Sequence, residues 1–364
     1  MKRIAVLCIL ALCLSGCSGI AFRDIDKRFF VVALGIDKAD QRKGYTVSLK
    51  LGIPTGKIEA GQELFEVIHQ EAETITEAIR LLKSKVDKEL DYGHTKIFVL
   101  GKSLVQEDIT ETMEWLVRRR DIQFISYLAI GEPDAMSVMK MSPGWERLPG
   151  NTLFLTFSTE GVETSYILTE YLFDMNRRIH EKGKDPYLPI IKLKGNTFEI
   201  NQVALLDKRK ARLITDPEET ELLDLFRKEG FHRLALKTKS EGNVITLGVT
   251  DVKCRYSIVK DPEGGQAIDV RMKLKGIVEE STQSIISKDL LRYRKSFEDT
   301  FNRKLSRFLR KVVSQGIDPI GFGLRYRASR MVSAEEWERW TKTYPAMPIR
   351  VHTDVVIEGT GVTK

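Results

Sequence analysis

Residues 252–258 read Val-Lys-Cys-Arg-Tyr-Ser-Ile, and residues 268–275 read Ile-Asp-Val-Arg-Met-Lys-Leu-Lys. Apolar and polar residues alternate in both, the period of a strand with one buried and one wet face. Val252, Cys254, Tyr256 and Ile258 share one face, as do Ile268, Val270, Met272 and Leu274. Between them Asp261-Pro262-Glu263-Gly264-Gly265 is turn chemistry, so the pair predicts an antiparallel hairpin. Ile349, Val351, Val355 and Ile357 repeat the period near the end of the chain. One long helix is predicted between these strands, over Lys288 to Gln315, with Ser287 as N-cap and Gly316 as its stop. Its stripe of Leu290, Phe297, Phe301, Leu305, Phe308 and Val312 is wide enough to cover the sheet face. Residues 231–364 therefore read as a C-terminal domain, an antiparallel sheet packed on one long helix.

Upstream the period changes more often. Strands are predicted at Phe29–Ile36, Tyr45–Ile53 and Leu64–His69, with Asp40 to Gly44 as a turn. A helix starting at Thr74 carries Ile75, Ile79, Leu82 and Val86 at spacings of four, three and four. A strand at 96–100, a helix at 107–119, a strand at 124–130 and a helix at 133–141 follow. Such alternation is the pattern of an α/β layer. Residues 142–160, with Pro143, Gly144, Pro149 and Gly150, read as a linker, and 163–180 as a helix. Together these make an N-terminal α/β domain, residues 22–185. Strands at 187–193, 197–206 and 211–214 form a small middle α+β domain, residues 186–230. Asp216-Pro217-Glu218-Glu219 starts a helix there, with acids and Pro where the dipole favours them. The fold class is α+β (mixed α/β), in three domains.

The first residues decide the compartment. Lys2 and Arg3 precede an apolar run from Ile4 to Leu14, too short to span a bilayer and suited to a secretory signal. The run ends in Leu14-Ser15-Gly16-Cys17, which resembles the lipobox of bacterial lipoproteins. Residues 1–16 would then be removed, and 17–21 would be a short lipid-anchored N-terminus. Two acyl chains of about fifteen buried methylenes each, at ~0.8 kcal/mol apiece, hold on the order of 20 kcal/mol. Cys8 and Cys13 leave with the signal, so Cys254 remains as a buried, inert thiol and no internal disulfide can form.

The chain has 364 residues, 42% hydrophobic and 30% charged, which excludes disordered, collagenous and polytopic membrane classes. Its net charge of +7, falling to +5 once Lys2 and Arg3 are lost, is too weak to imply nucleic acid. The long helix alone holds nine basic and three acidic residues. A solvated outer face accounts for that, and contact with anionic lipid or an acidic partner is the sharper alternative. Walker A, HExxH and GxSxG motifs are absent, and no Cys or His pair has metal spacing. Gly321-Phe322-Gly323 starts like a dinucleotide loop, but Tyr326 stands where the third Gly belongs. No spacing selects a carboxylate pair for acid–base work. The expectation is a non-enzyme without metal or cofactor, its covalent diacylglycerol and acyl chains on Cys17 aside.

These features taken in order resemble the C subunits of bacterial spore nutrient-germinant receptors, the Ger(x)C lipoproteins. The resemblance runs from the lipobox through Arg28 to Asp37, with Val31-Val32-Ala33-Leu34-Gly35-Ile36-Asp37. It continues in Gly93-His94-Thr95-Lys96, the Arg118-Arg119-Arg120 helix end, and Ala204 to Thr215 with Asp216 to Phe226. Asp318-Pro319-Ile320-Gly321-Phe322-Gly323, Trp340 and a last strand ending at Gly359 complete it. Leu205-Leu206 departs from the family, which tends to have Phe near that strand end. Physically, Gly35, Asp37 and Gly93 fit strand and helix ends, and His94 and Lys96 local bridges. Asp318, Pro319, Gly321 and Gly323 fit a turn, and Trp340 a core anchor.

The resemblance implies a lipid-anchored scaffold or coupling subunit on the outer surface of the spore inner membrane. It implies A and B subunits as partners, with the small-molecule germinant bound by another subunit. A substrate-binding lipoprotein of an importer and a cell-wall hydrolase are the competing classes. The first would need a second α/β lobe and the second an acid–base pair in a cleft.

Overall fold

The structure, a computed structural model, describes residues 27–39, 44–53, 65–143, 152–158, 164–227, 234–285 and 289–360. The signal segment, the lipobox with Cys17, residues 17–21 and Ser287 lie outside them.

The N-terminal sheet is built from β1 (Arg28–Lys38), β2 (Tyr45–Gly52), β3 (Phe65–Ala72), β4 (Glu89–Asp91), β5 (Ile97–Gly101) and β6 (Tyr127–Glu132). It continues through β7 (Tyr187–Lys194), β8 (Thr197–Leu206) and β9 (Ala211–Ile214). Among the described residues these nine strands run in the order β3-β2-β1-β5-β6-β7-β8-β9, with β4 paired to β1. The central pairs β1–β5, β5–β6 and β6–β7 are parallel, and hairpins extend each edge. Parallel pairing requires helical crossovers that cover both faces, which is why every residue of Ile97–Gly101 is buried. On one face, α1 (Ile75–Lys83), α2 (Lys102–Glu107) and α3 (Thr110–Arg118) pack Ile79, Leu82 and Leu116 against Leu34, Phe98 and Leu128. On the other, α4 (Ala135–Lys140) and α5 (Thr152–Phe157) pack Val138, Met139 and Phe157 against Ala33, Val99 and Ala129.

The second sheet, β10 (Leu234–Ser240), β11 (Asn243–Lys260), β12 (Gln266–Ser281) and β13 (Ile349–Gly359), lies under the helix α8 (Leu290–Ser314). The predicted hairpin is in register, with Val252 opposite Leu274, Cys254 opposite Met272, and Tyr256 opposite Val270. Phe297, Phe301, Leu305, Phe308 and Val312 are buried on that sheet, and Gly316 takes φ +70° where the helix stops. β13 pairs with β12 in parallel rather than antiparallel. A chain that leaves β12 and returns only after a 25-residue helix and further turns can come back in the same direction.

Three upstream predictions change. The helix predicted at 107–119 is α3 alone, and α2 precedes it unpredicted, because Asp108 is extended and its carboxylate accepts from Thr110 N (2.8 Å), starting α3 afresh. The predicted linker 142–160 contains α5, held by buried Leu153 and Phe157. The helix predicted over 163–180 is only α6 (Leu172–His180). Its upstream residues spend their backbone on the neighbouring sheet, with Leu128 N donating to Glu170 O and Leu172 N to Ser126 O.

Candidate functional site

Residues 200–206, Ile-Asn-Gln-Val-Ala-Leu-Leu, leave β8 buried on both sides at its end, and the alternation sends each side to a different core. Ala204 and Leu206 join the core beneath α1–α3, whereas Val203 and Leu205 join the core of the second sheet. In β7, Leu188 and Ile190 face the first core and Tyr187 the second. The helix α7 (Pro217–Asp224) follows, opened by a capping box between Asp216 and Glu219. It buries Leu222 and Leu223 in the second core and holds α8 through Lys311–Glu219 (2.7 Å) and Lys304–Glu218. The middle segment is thus a strip shared by two cores.

Beside that strip the two halves meet in a polar clamp. Asp318 is 5% exposed, and its carboxylate accepts from the N–H groups of Gly321 (2.7 Å), Phe322 (3.0 Å) and Gly323 (2.7 Å). Gly321 takes φ +101°, which lets the backbone curl around the carboxylate as α9 (Phe322–Ala328) begins. Burial pushes the Asp318 carboxyl up to about 7, against the three donors that favour its charge. Asp185 answers from the other half. Its Oδ2 accepts from Asp318 N (2.7 Å), and its own N–H donates to Asp318 O (2.6 Å). Leu324 N donates to Gly183 O at 2.7 Å, where the two backbones touch.

Lys208 secures the clamp from the β8–β9 turn. Its Nζ donates to the carbonyls of Arg178 (2.5 Å), Glu181 (2.8 Å) and Lys184 (2.5 Å), and pairs with Asp185 at 3.0 Å. These include carbonyls left open at the end of α6. The backbone of Lys208 stands at φ +102°, a conformation costing about 1–3 kcal/mol that the ammonium contacts hold in place. Arg178, 6% exposed, pairs with Glu170 at 2.9 Å and donates to Pro319 O at 3.1 Å. Burial raises the Glu170 carboxyl to about 7, opposed by Arg178. Trp340, on α10 (Ala334–Thr343), stacks between Tyr326 (4.4 Å) and Tyr344 (5.6 Å), and Tyr344 Oη donates to Ile317 O. The arrangement offers mechanical continuity, and it brings together no nucleophile with a base.

The other sequence candidates lie apart from the clamp. Asp37, at the end of β1, accepts from Ala135 N (2.7 Å) and Met136 N (2.9 Å), fixing the start of α4. Gly35 lets Ala135 and Met139 pack on that strand. Gly93 N donates to Asp91 Oδ1, and exposed His94 lies edge-on to Phe30 at 4.8 Å. Lys96 reaches over Phe154 at 5.6 Å. Cys254 is half-buried against the second core. On α8 the cations divide. Arg292, Arg294, Lys304 and Lys311 are ion-paired within the chain, whereas Arg303, Arg307 and Arg310 pair with no carboxylate among the described residues.

Two family models match the chain consecutively, a spore germination protein N-terminal domain over residues 22–193 and a spore germination B3/GerAC-like C-terminal domain over 201–361. The chain belongs to the GerAC family of spore germination proteins. Two relatives align along nearly the whole length. One is spore germination protein GerQC of Bacillus cereus, 21% identical with all of both chains covered. The other is spore germination protein KC of Bacillus subtilis (strain 168), 23% identical over 93% of this chain and 91% of its own. The crystal structure of the GerBC protein shares the fold, with a TM-score of 0.58 and 15% identity over 89% of this chain and 96% of its own.

Membership supports a non-enzymatic, scaffolding or coupling role in the germinant receptor and association with a membrane. The gap between the two GerAC-family models contains the turn between β7 and β8, inside one continuous sheet. Of the clamp, the sequence pattern singled out Asp318, Pro319, Gly321, Gly323 and Trp340, and missed Glu170, Arg178, Gly183, Asp185 and Lys208. Lys208 is one of three consecutive bases, Lys208-Arg209-Lys210, between β8 and β9, and nothing local ties it to Asp185.

Proposed function

We propose that this chain is the lipid-anchored C subunit of a nutrient-germinant receptor, held through acylated Cys17 on the outer surface of the spore inner membrane. It works beside A and B subunits, and another subunit binds the germinant. The observation that carries this reading is the consecutive match of both GerAC-family models across residues 22–361, directly behind a lipobox. The fold supports a coupling role, because one strip of chain is buried in both cores and the clamp joins the halves, so a push on one is transmitted to the other. Tethering at Cys17 confines the protein to the membrane surface and raises its effective concentration near its partners without strong contacts. Among the described residues no helix is long and apolar enough to cross a membrane.

The test replaces Cys17 in spores. Cys17→Ala is expected to move the protein out of the membrane fraction. Nutrient-triggered dipicolinate release should slow, while release by a receptor-bypassing agent stays normal. Normal membrane retention with full nutrient response would overturn the reading.

A further inference from the structure

A cleft of about 220 Å³ opens on the clamp between α6, the end of α7 and the Pro319–Ile320 turn. That is the volume of about seven waters at ~30 Å³ each. Its polar wall holds four cations, Arg177, Arg178, Lys184 and Arg227, against two carboxylates, Glu170 and Asp174. Arg178 is neutralised by Glu170 (2.9 Å) and Arg177 by Asp174 (2.6 Å). Arg227 reaches Asp224 only at 3.5 Å and donates to Thr169 O at 3.1 Å. The half-buried Lys184 ammonium has no hydrogen-bond or ion-pair partner among the described residues. Burial lowers its pKa, and Arg178 and Arg177 lower it further. With Asp224 counted as the partner of Arg227, folding has still left the charge of Lys184 unanswered in a partly desolvated cleft, an arrangement that disfavours itself unless an anion completes it.

We propose that this cleft binds a small oxyanion, a carboxylate or a phosphate, across the clamp between the two halves of the molecule. The guanidinium of Arg227 supplies planar paired donors and Lys184 a point charge, the two kinds of group that hold such anions through charge-assisted bonds. Because the Pro319–Ile320 turn forms one wall and α6 the other, an occupied cleft ties the second sheet to the first more firmly than an empty one. This site is independent of the lipid anchor and of the receptor reading, so its failure leaves that reading standing.

The experiment uses the full chain in neutral detergent micelles, at fixed ionic strength set with sodium chloride. Equilibrium dialysis with radiolabelled inorganic phosphate is expected to show one saturable site. Lys184→Gln and Arg227→Gln should each weaken it about tenfold or more, the loss of one charge-assisted contact. Arg303→Gln, on the outer face of α8, should leave it unchanged. Lys184→Gln keeps the stem that packs on Gly321 and removes no internal partner, so it tests the site without unfolding it. Competition by acetate and citrate would assign the site to carboxylates, and its absence to phosphate. Repeating the titration in phosphatidylcholine nanodiscs with and without phosphatidylglycerol separates a free anion from a lipid headgroup, since only a headgroup site loses phosphate uptake when that lipid is added. No saturable uptake below the order of 10 mM, or uptake equally affected by Arg303→Gln and Lys184→Gln, would overturn the proposal.

Discussion

Replacing Asp318 by Ala removes one carboxylate and orphans three backbone donors, Gly321 N, Phe322 N and Gly323 N, all in a buried turn. A buried donor left without an acceptor costs about 1–3 kcal/mol, so three of them would cost roughly 3–9 kcal/mol if the site stayed dry. Two effects reduce that. Asp318 also borders a cleft of about 280 Å³, from which water can reach the freed N–H groups. The carboxylate is itself penalised by burial, as its rise to about 7 shows, and that penalty disappears with it. The expected loss is therefore near the lower bound, about 3 kcal/mol. It should be concentrated in the clamp, with faster hydrogen exchange at Gly321 to Leu324 before any change in the β5–β6 core. Asp318→Asn keeps an acceptor for Gly321 and Phe322 but turns an N–H₂ toward Gly323 N, and should fall between wild type and Ala. Urea unfolding of the full chain with amide exchange by mass spectrometry reads both quantities. A loss below about 1 kcal/mol with unchanged protection of residues 321–324 would refute the reasoning.

Two further predictions test the clamp from its other side. Gly183→Ala places a Cβ at φ +88° and against the backbone of Gly323 and Leu324, whereas Gly195→Ala meets only the left-handed conformation, at φ +56°, with nothing within 4 Å. The first should cost at least about 2 kcal/mol more than the second in urea midpoint analysis, and equal costs would remove the contact argument. Glu170, raised to about 7 from 4.5, keeps its proton longer in the folded state, so its contribution to stability is full at low pH and is lost as pH rises from about 4.5 to about 7. The stability advantage of wild type over Glu170→Gln should accordingly shrink across that range in parallel thermal scans, and an advantage that grows with pH would contradict the assignment.

What was legible in the sequence follows the range of the forces involved. The hairpin at 252–274 and the stripe on α8 are periodic signals carried by neighbouring residues, and both appear in the fold, with only Leu290 of that stripe, at the helix start, left half-buried. The start of α7 was equally local, since Asp216 and Glu219 cap within one turn. Asp318-Pro319 was legible as a turn, though not as the floor of a clamp. Its partners Asp185 and Lys208 lie 133 and 110 residues away, and no local pattern encodes a contact at that distance. The α6 boundary was misplaced for a related reason. Residues 164–171 carry apolar spacing compatible with a helix, but Glu170 and Tyr171 are claimed by strand β6 and by Arg178. Tertiary pairing overrode local preference there.

The same range argument bears on how the molecule can couple. Strand β8 divides its side chains between two cores, so the halves cannot separate without exposing Val203 and Leu205 on one side or Ala204 and Leu206 on the other. Exposing even two such side chains costs about 3–6 kcal/mol, more than a weak partner contact supplies. Motion between the halves is therefore confined to rotation about this strip, and the clamp at Asp185, Lys208 and Asp318 sits where such rotation would be resisted. A change confined to polar contacts, by ligand, by protonation of Glu170 or by substitution at Asp318, can alter that resistance without disturbing either core. Altered germination kinetics in an Asp318→Ala spore whose protein is still folded and membrane-bound would locate the coupling in the clamp. Unaltered kinetics would show that tethering alone suffices.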